Sequence, residues 1–396
     1  MSLKKLMNKQ YLTILGLNSG TSADGVDMAV VKISRRGKSI YTKYINGKSR
    51  AYPKELRSRI LNLADSDSTT LEEVIATDNA IGAFFGVTAA SFTKTLSASG
   101  ISVDALASHG QTVRHIPVKK SKSQKMGTLQ LGSLEQIAAS VNKVTVGDFR
   151  QADVALGNEG APITVAAMQR LFAAPAESRL IVNIGGISNF FYFPIIKNGL
   201  SSLAADCGPG NVLCDILSEK LFKRKFDKNG AVAQKGKPSM RILTLLLAEQ
   251  FFSGKNVSTG RETFGKEFAE RIIKLGKQFK LSNADIVSTA AELTVIAIID
   301  RIRPLFKHDA TLSKLYLTGG GKKNNFFVKR LKEMLKGIKI LPADKLGVNA
   351  DYIEAAAYAV MAEAALRSEP LPTVFTGKKA TVPLAVLGKI VQPPFR

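Results

Sequence analysis

Twice along this chain an apolar stretch runs into a glycine-rich polar turn and out into a second apolar stretch. This repeated opening constrains the fold more than any other feature. The first instance is Tyr11–Leu17, then Gly20-Thr21-Ser22-Ala23-Asp24-Gly25, then Val26–Ile33. The second is Leu180–Ile184, then Gly185-Gly186, then Ser188–Phe193. Apolar runs of strand length bounded by glycine read as hairpins. Further strands are expected at Lys38–Ile45, Val103–Ala107 and Val144–Val146 in the first half. In the second half they are expected at Ala204–Asp206, Leu312–Thr318 and Lys339–Leu341. Between them the apolar spacing predicts helices over Leu71–Leu96, Gln136–Ser140, Pro162 to about Phe172, after Pro209, from about Asn324 to Leu335, and over Asp351–Leu366. Strands alternating with helices make an α/β fold, and the repeated plan predicts an internal duplication. The run Ala173–Ser178 breaks the pattern. It marks a boundary between a domain over 1–174 and one over 175–371, with 372–396 expected to return to the first.

Composition narrows the class. With 396 residues, 45% hydrophobic and 22% charged, the chain can bury two cores, which excludes a disordered or coiled-coil protein. Only two cysteines, Cys207 and Cys214, exclude a disulfide framework and a zinc cluster, and read as reduced thiols of a cytoplasmic protein. No apolar run approaches the roughly 20 residues that cross a bilayer. The stretch Tyr11–Leu17 is too short for a secretory signal, so no membrane partner is expected. The excess of 56 Lys and Arg over 32 Asp and Glu gives a formal charge of +24 and invites a nucleic-acid reading. The basic groups are short and scattered, as at Lys119-Lys120, Lys223-Arg224-Lys225 and Lys322-Lys323, and no nucleic-acid-binding signature appears. Specific nucleic-acid binding is therefore not expected.

The glycine turns carry the chemistry. In Gly20-Thr21-Ser22-Ala23-Asp24-Gly25-Val26-Asp27 the glycines let successive N–H groups form an anion-binding nest, with hydroxyls beside them. Asp24 and Asp27 would repel a phosphate unless a divalent cation intervened, and magnesium suits a site with few protein carboxylates. An ordinary hairpin rich in Gly, Ser and Asp has the same composition. The turn lacks a P-loop Lys-Ser/Thr ending, and no G-x-G-x-x-G is present. Gly185-Gly186 is the second such turn. Gly319-Gly320-Gly321, followed by Asn324, is a third cluster where a strand meets a helix N-terminus, which suits an anionic or nucleotide ligand. In the order hairpin, hairpin, strand-to-helix, these three clusters resemble the acetate kinase, sugar kinase, heat-shock protein 70 and actin superfamily. That resemblance implies two duplicated actin-like (ribonuclease H-like) domains closing on ATP.

Other motifs narrow the resemblance. Gly20–Asp27, Ser108-His109-Gly110-Gln111-Thr112-Val113-Arg114-His115, Asp206-Cys207-Gly208-Pro209-Gly210-Asn211 and Ser258-Thr259-Gly260-Arg261-Glu262 stand in the same order as in the anhydro-N-acetylmuramic acid kinase family. Gly160-Ala161-Pro162, the two later glycine clusters and Ile353-Glu354-Ala355 agree. The resemblance runs from about residue 14 to 391. It implies an enzyme that uses Mg-ATP and water to open a 1,6-anhydro sugar and phosphorylate its O6, in cell-wall (peptidoglycan) recycling. The same resemblance makes Asp206 the base that deprotonates the water. For Asp206 the residues alone leave a helix-capping role open, since it precedes a strand-to-helix turn. It also assigns Gly20, Thr21, Ser22, Ala23, Asp24, Gly25, Val26, Asp27, Gly185, Gly186, Gly319, Gly320, Gly321 and Asn324 to the nucleotide, and Asp24 and Glu354 to magnesium. Substrate contact falls to His109, Gln111, Arg114, His115, Glu159 and Asn211, the Ser108–His115 segment being read as a loop. The implied partners are ATP and a small anhydrosugar, with a homodimer left open.

One departure stands out. Where the family has an Arg-Asp pair and then Gly-Gly-Gln-Gly, this chain has Ala152-Asp153 and Gly157-Asn158-Glu159-Gly160. A carboxylate in place of an amide near the sugar bears on which anhydrosugar is used, levoglucosan being the competitor, and not on the ATP site. The retained Arg114-His115-Ile116-Pro117 favours the muramic acid sugar.

Overall fold

The computed structural model describes residues 3–37, 39–116, 127–195, 201–253, 263–372 and 384–394. The motif Ser258–Glu262 lies outside the described residues. The chain forms two compact units. One comprises Met1–Leu171, Gly347–Val374 and Lys378–Arg396; the other comprises Phe172–Leu346 and Phe375–Gly377.

In the first unit β1 (Tyr11–Ser19), β2 (Gly25–Arg36), β3 (Ser39–Ala51), β4 (Ala105–Ile116) and β6 (Thr145–Gly147) lie in the order β3-β2-β1-β4-β6. β5 (Gly127–Leu131) hangs on β4, and Lys389–Val391 extends the sheet beyond β6. Strands β1, β2 and β3 pair antiparallel in turn, while β4 joins β1, and β6 joins β4, in parallel. The second unit repeats this arrangement with β7 (Arg179–Ile184), β8 (Ile187–Phe193), β9 (Leu203–Pro209), β10 (Lys314–Thr318) and β11 (Lys339–Pro342), in the order β11-β10-β7-β8-β9. Its directions match strand for strand. The expected duplicated actin-like α/β architecture is therefore present in the topology of each unit.

Packing explains several sequence choices. β1 meets the helix Ile353–Leu366 with so little clearance that a Cβ on Gly16 would lie 1.9 Å from the Ala355 carbonyl oxygen. Glycine facing an alanine-rich helix is what permits that approach. The helix belongs with β1, β2 and β4 of the first unit, whereas the boundary at 371 had grouped it with the second half. Its sequence shows that it is buried but not against what. It is tied down by Glu363, fully buried, which accepts from Arg35 Nε at 2.7 Å and Nη2 at 2.8 Å and from Arg367 Nε at 3.2 Å.

Other expectations need correction. The segment Ser108–His115 is strand, not loop, because β4 continues to Ile116 and pairs with β5. Pro162 follows a cis peptide bond and precedes the helix, which starts at Val165. Among the described residues one helix, Leu71–Ala98, is long and apolar enough to cross a membrane by length and composition alone. Its large apolar residues Val74, Ile75, Ile81, Phe84, Phe85 and Val87 are interrupted by Ala, Gly, Thr and polar residues, so no continuous apolar run signals it. Here Ile81, Phe85, Ala89 and Phe92 face a core with Leu15, Leu17, Met28 and Val30, and Gly82 and Gly86 admit Ser133 and Ser140 of the neighbouring helix. In the second unit the core gathers around the helix Asn283–His308, started by a Ser282–Asp285 capping box, a helix not read from the sequence.

Candidate active site

The turn from β1 to β2 is held from several sides. Ala23 sits at φ 49° and donates its N–H to the Gly20 carbonyl at 3.1 Å. Gly25, at φ 158°, lies where a Cβ would come 2.2 Å from the Arg50 carbonyl oxygen. Ser19 Oγ donates to Gln111 Oε1 at 2.6 Å, and Gln111 Nε2 donates to the Gly20 carbonyl at 3.1 Å. Gln111 is thus buried beneath the turn, with both ends of its amide engaged. Asp24 points outward, 69% exposed, with Arg57 Nη2 at 3.2 Å.

Carboxylates gather beside this turn. Asp27 accepts from Ser49 Oγ at 2.6 Å, yet its carboxyl lies above the usual range, because burial outweighs that bond and Asp351 and Asp24 add repulsion. Glu354, the second residue of its helix, accepts from Asn18 Nδ2 at 2.8 Å. Its carboxyl is also raised, by desolvation first, with Asn18 and Arg150 opposing and Asp27 adding a little. The side chain of Glu354 is exposed to solvent.

Beyond β6 the residues organise around Arg150. Its Nη1 donates to the Gly160 carbonyl at 2.7 Å and its Nε to His109 Nε2 at 3.4 Å. A guanidinium only donates, so His109 Nε2 is the acceptor and the ring proton sits on Nδ1. His109 is 4% exposed and stacks on Tyr358 at 4.5 Å. Burial, and then Arg150, push its pKa well below the usual range, so the ring is neutral at pH 7. Asp153, also buried, accepts from Gly160 N at 2.7 Å and Asn158 Nδ2 at 3.0 Å. Arg150 and Asp153 together anchor the loop that carries Glu159. His115 approaches Gly160 from β4, and Arg114 is exposed, donating to the Ser66 carbonyl. Arg150 and Asp153 were assigned no role from the sequence. The signal available was an Arg and an Asp at i and i+3 just before a glycine-flanked loop.

In the second unit the turn from β7 to β8 is only Gly185-Gly186. The helix Asn211–Phe222 closes on it, with Asn211 N donating to the Gly185 carbonyl at 2.7 Å and Gly210 N to that of Gly186 at 2.8 Å. Asn211 Nδ2 bonds the Ile184 and Gly185 carbonyls, both at 3.0 Å. Gly319, at φ 77°, passes so near that a Cβ would be 2.4 Å from Asn183 Oδ1. Asn324 caps the helix Asn325–Met334, accepting from Phe326 N at 3.0 Å.

Asp206 lies inside β9, not at its end, opposite Asn189. The register shifts between Ser188 and Asn189, so Cys207 is the extra residue of a bulge. Bulges commonly re-aim neighbouring side chains. The cap of the following helix is Gly210, which removes the capping role left open for Asp206. Cys207 is buried, and burial followed by the Asp206 charge pushes its thiol far up, leaving it unreactive at neutral pH. Among the described residues no three His, Cys, Asp or Glu side chains converge as a metal-binding group.

Comparison with known proteins agrees with the motif order. The family model described as anhydro-N-acetylmuramic acid kinase matches residues 12–392. A protein of that name from Caldanaerobacter subterraneus subsp. tengcongensis is 32% identical over 399 residues, covering 98% of this chain and 99% of the relative. Another from Trichormus variabilis is 36% identical over 389 residues, with 96% and 97% covered. A third, from Coxiella burnetii, is 34% identical over 379 residues, with 95% and 96% covered.

Proposed function

This chain belongs to the anhydro-N-acetylmuramic acid kinase family, and we propose that it opens 1,6-anhydro-N-acetylmuramic acid with water and phosphorylates O6 from ATP, giving N-acetylmuramic acid 6-phosphate. The observation that carries this reading is a family match spanning residues 12–392. The kinase acts in peptidoglycan recycling, and we place it in the cytoplasm, working on small molecules.

Asp206 takes a proton from water as the oxygen attacks the anomeric carbon. The bond from that carbon to the bridging oxygen breaks through an oxocarbenium-like transition state. The oxygen released is O6, which accepts the γ-phosphoryl group as the bond to the β-phosphate oxygen breaks, leaving ADP. Gly20–Asp27 receive the phosphates, and Gly185, Gly186 and Gly319–Gly321 the rest of the nucleotide. The internal engagement of Asn324 and Asn211 makes them supports of these turns. Arg114, His115 and Glu159 meet the sugar, while His109 and Gln111 hold the site's shape from below. The residues present fit magnesium. Asp27 and Glu354 are raised partly by neighbouring like charges, which a cation would relieve, and this ion needs only one or two protein carboxylates. Asp24 and Glu354 would hold it, where it would neutralise phosphate charge.

Mass spectrometry of products formed from ATP, magnesium and a panel of anhydrosugars tests the reading. The expected product from the muramic sugar carries one phosphate and one added water. Levoglucosan turned over in preference to it would move the assignment to the other anhydrosugar, and product without added water would refute the hydrolytic step.

A further inference from the structure

We propose that the groove between the edge strand β3 and the helix Leu71–Ala98 is a binding site for a small oxyanion, separate from the turns assigned to ATP and sugar. β3 is the outermost strand of its sheet. In register, Lys48 faces Met28 and Arg50 faces Val26. Directly opposed side chains share a face, so both cations project with the buried Met28 and Val26 toward the helix. There they meet Thr88 and Ser91, and Arg50 lies over the Phe84 ring at 5.8 Å. The cavity holds about 250 Å³ and is lined by Met28, Lys48, Ser49, Arg50, Thr88 and Ser91. No carboxylate lines it.

Two independent observations point to an anion. Neither Lys48 nor Arg50 makes an ion pair with a carboxylate among the described residues, although both border one cavity. Thr88 lines the same cavity and is 3% exposed, and its Oγ1 has no hydrogen-bond partner. A buried hydroxyl without a partner is unfavourable, and native structures leave few of them. Two cations and a spare hydroxyl donor satisfy the oxygens of a phosphate or carboxylate group. The volume of about 250 Å³ falls below the roughly 300–1,000 Å³ typical of drug-sized ligands and suits one oxyanion group. Ser49, between the two cations, turns to the other face and holds Asp27. An anion seated here therefore lies back to back with the first glycine turn.

The test is a local one. Val87, 60% exposed, directly precedes Thr88 on the helix that walls the groove, and both native cysteines are buried. Val87→Cys can thus be labelled selectively with an environment-sensitive dye. Inorganic phosphate titrated at constant ionic strength should give a saturable response. K48Q/R50Q should weaken it at least tenfold, T88V several-fold, and K48R/R50K should restore it. Glucose 6-phosphate and acetate distinguish the sources. A response to glucose 6-phosphate assigns a phosphoryl group carried on a larger molecule, one to acetate extends the site to carboxylates, and one to inorganic phosphate alone assigns the free ion. A response that does not saturate, or that K48Q/R50Q leaves unchanged, overturns the proposal. No ATP or sugar is present in the titration, so its failure leaves the kinase reading untouched.

Discussion

Replacing Asp206 by Asn separates chemistry from folding. The side chain is half-buried in the middle of β9, whose pairing with β8 runs through backbone groups that Asn keeps. The next helix is capped by Gly210 and loses nothing. Asn matches Asp in size and retains an acceptor, so the effect on stability should stay below about 1 kcal/mol, the range of substitutions that open no cavity and break no cap. Loss of a general base removes about 10²–10⁴ in rate, equivalent to roughly 2.7–5.5 kcal/mol of barrier. The barrier effect therefore exceeds the folding effect several-fold. ADP release under saturating ATP and anhydrosugar measures the first, and a calorimetric melt measures the second. Binding titrations should show both ligands still held. The predicted outcome is at least a hundredfold loss of turnover with an unchanged melt. Turnover within a few-fold of wild type would refute the assignment of Asp206 as the base.

Asp24→Asn should reduce magnesium-dependent turnover, with a higher magnesium requirement in a metal titration, and leave the melt unchanged because Asp24 is 69% exposed. Glu363→Gln strips the charge from a buried partner of Arg35 and Arg367. Such a loss costs about 3–5 kcal/mol, and should lower the melting temperature of its unit by roughly 6–20 °C; an unchanged calorimetric transition would show that the network contributes little. Asp27 has a folded-state pKa raised above its usual value, so its charge is disfavoured in the folded state once the pH exceeds that value. Asp27→Asn should consequently raise stability at pH 7, and the gain should fade as pH drops through the raised pKa toward the ordinary value near 3.8, where wild-type Asp27 is protonated too. Denaturant midpoints at pH 7 and pH 4 check the sign, and a gain confined to the acid side would contradict it.

The strands and glycine turns were legible because strand apolarity and turn glycine are local properties. Leu180–Ile184 and Gly185-Gly186 could be read from a few residues. What escaped depended on distant partners. Ser108–His115 is too polar to read as strand, and its pairing with β1 and β6 at the start and with β5 beyond makes it one. The helix Asn283–His308 is buried nearly all round from Ile286 to Ile299, so the one-sided periodicity that signals a helix is missing. In the site, the order of motifs pointed to Asp206 and the first turn. The task of Arg150 is set by His109, 41 positions away, and by the carbonyl of Gly160. No spacing rule encodes such a triangle.

The closeness of Gly16 and Ala355 also has a temporal side. Asn18 and Glu354, which bond beside that contact, are 336 positions apart, and Lys389–Val391 completes the same sheet against β6. The stretch Phe172–Leu346 is continuous, so all of it has left the ribosome before either of these late pieces emerges. Domains commonly mature in order of synthesis. Here that order is inverted: the unit begun first finishes after the other, and its open sheet must wait, unclosed, until Lys389–Val391 arrive.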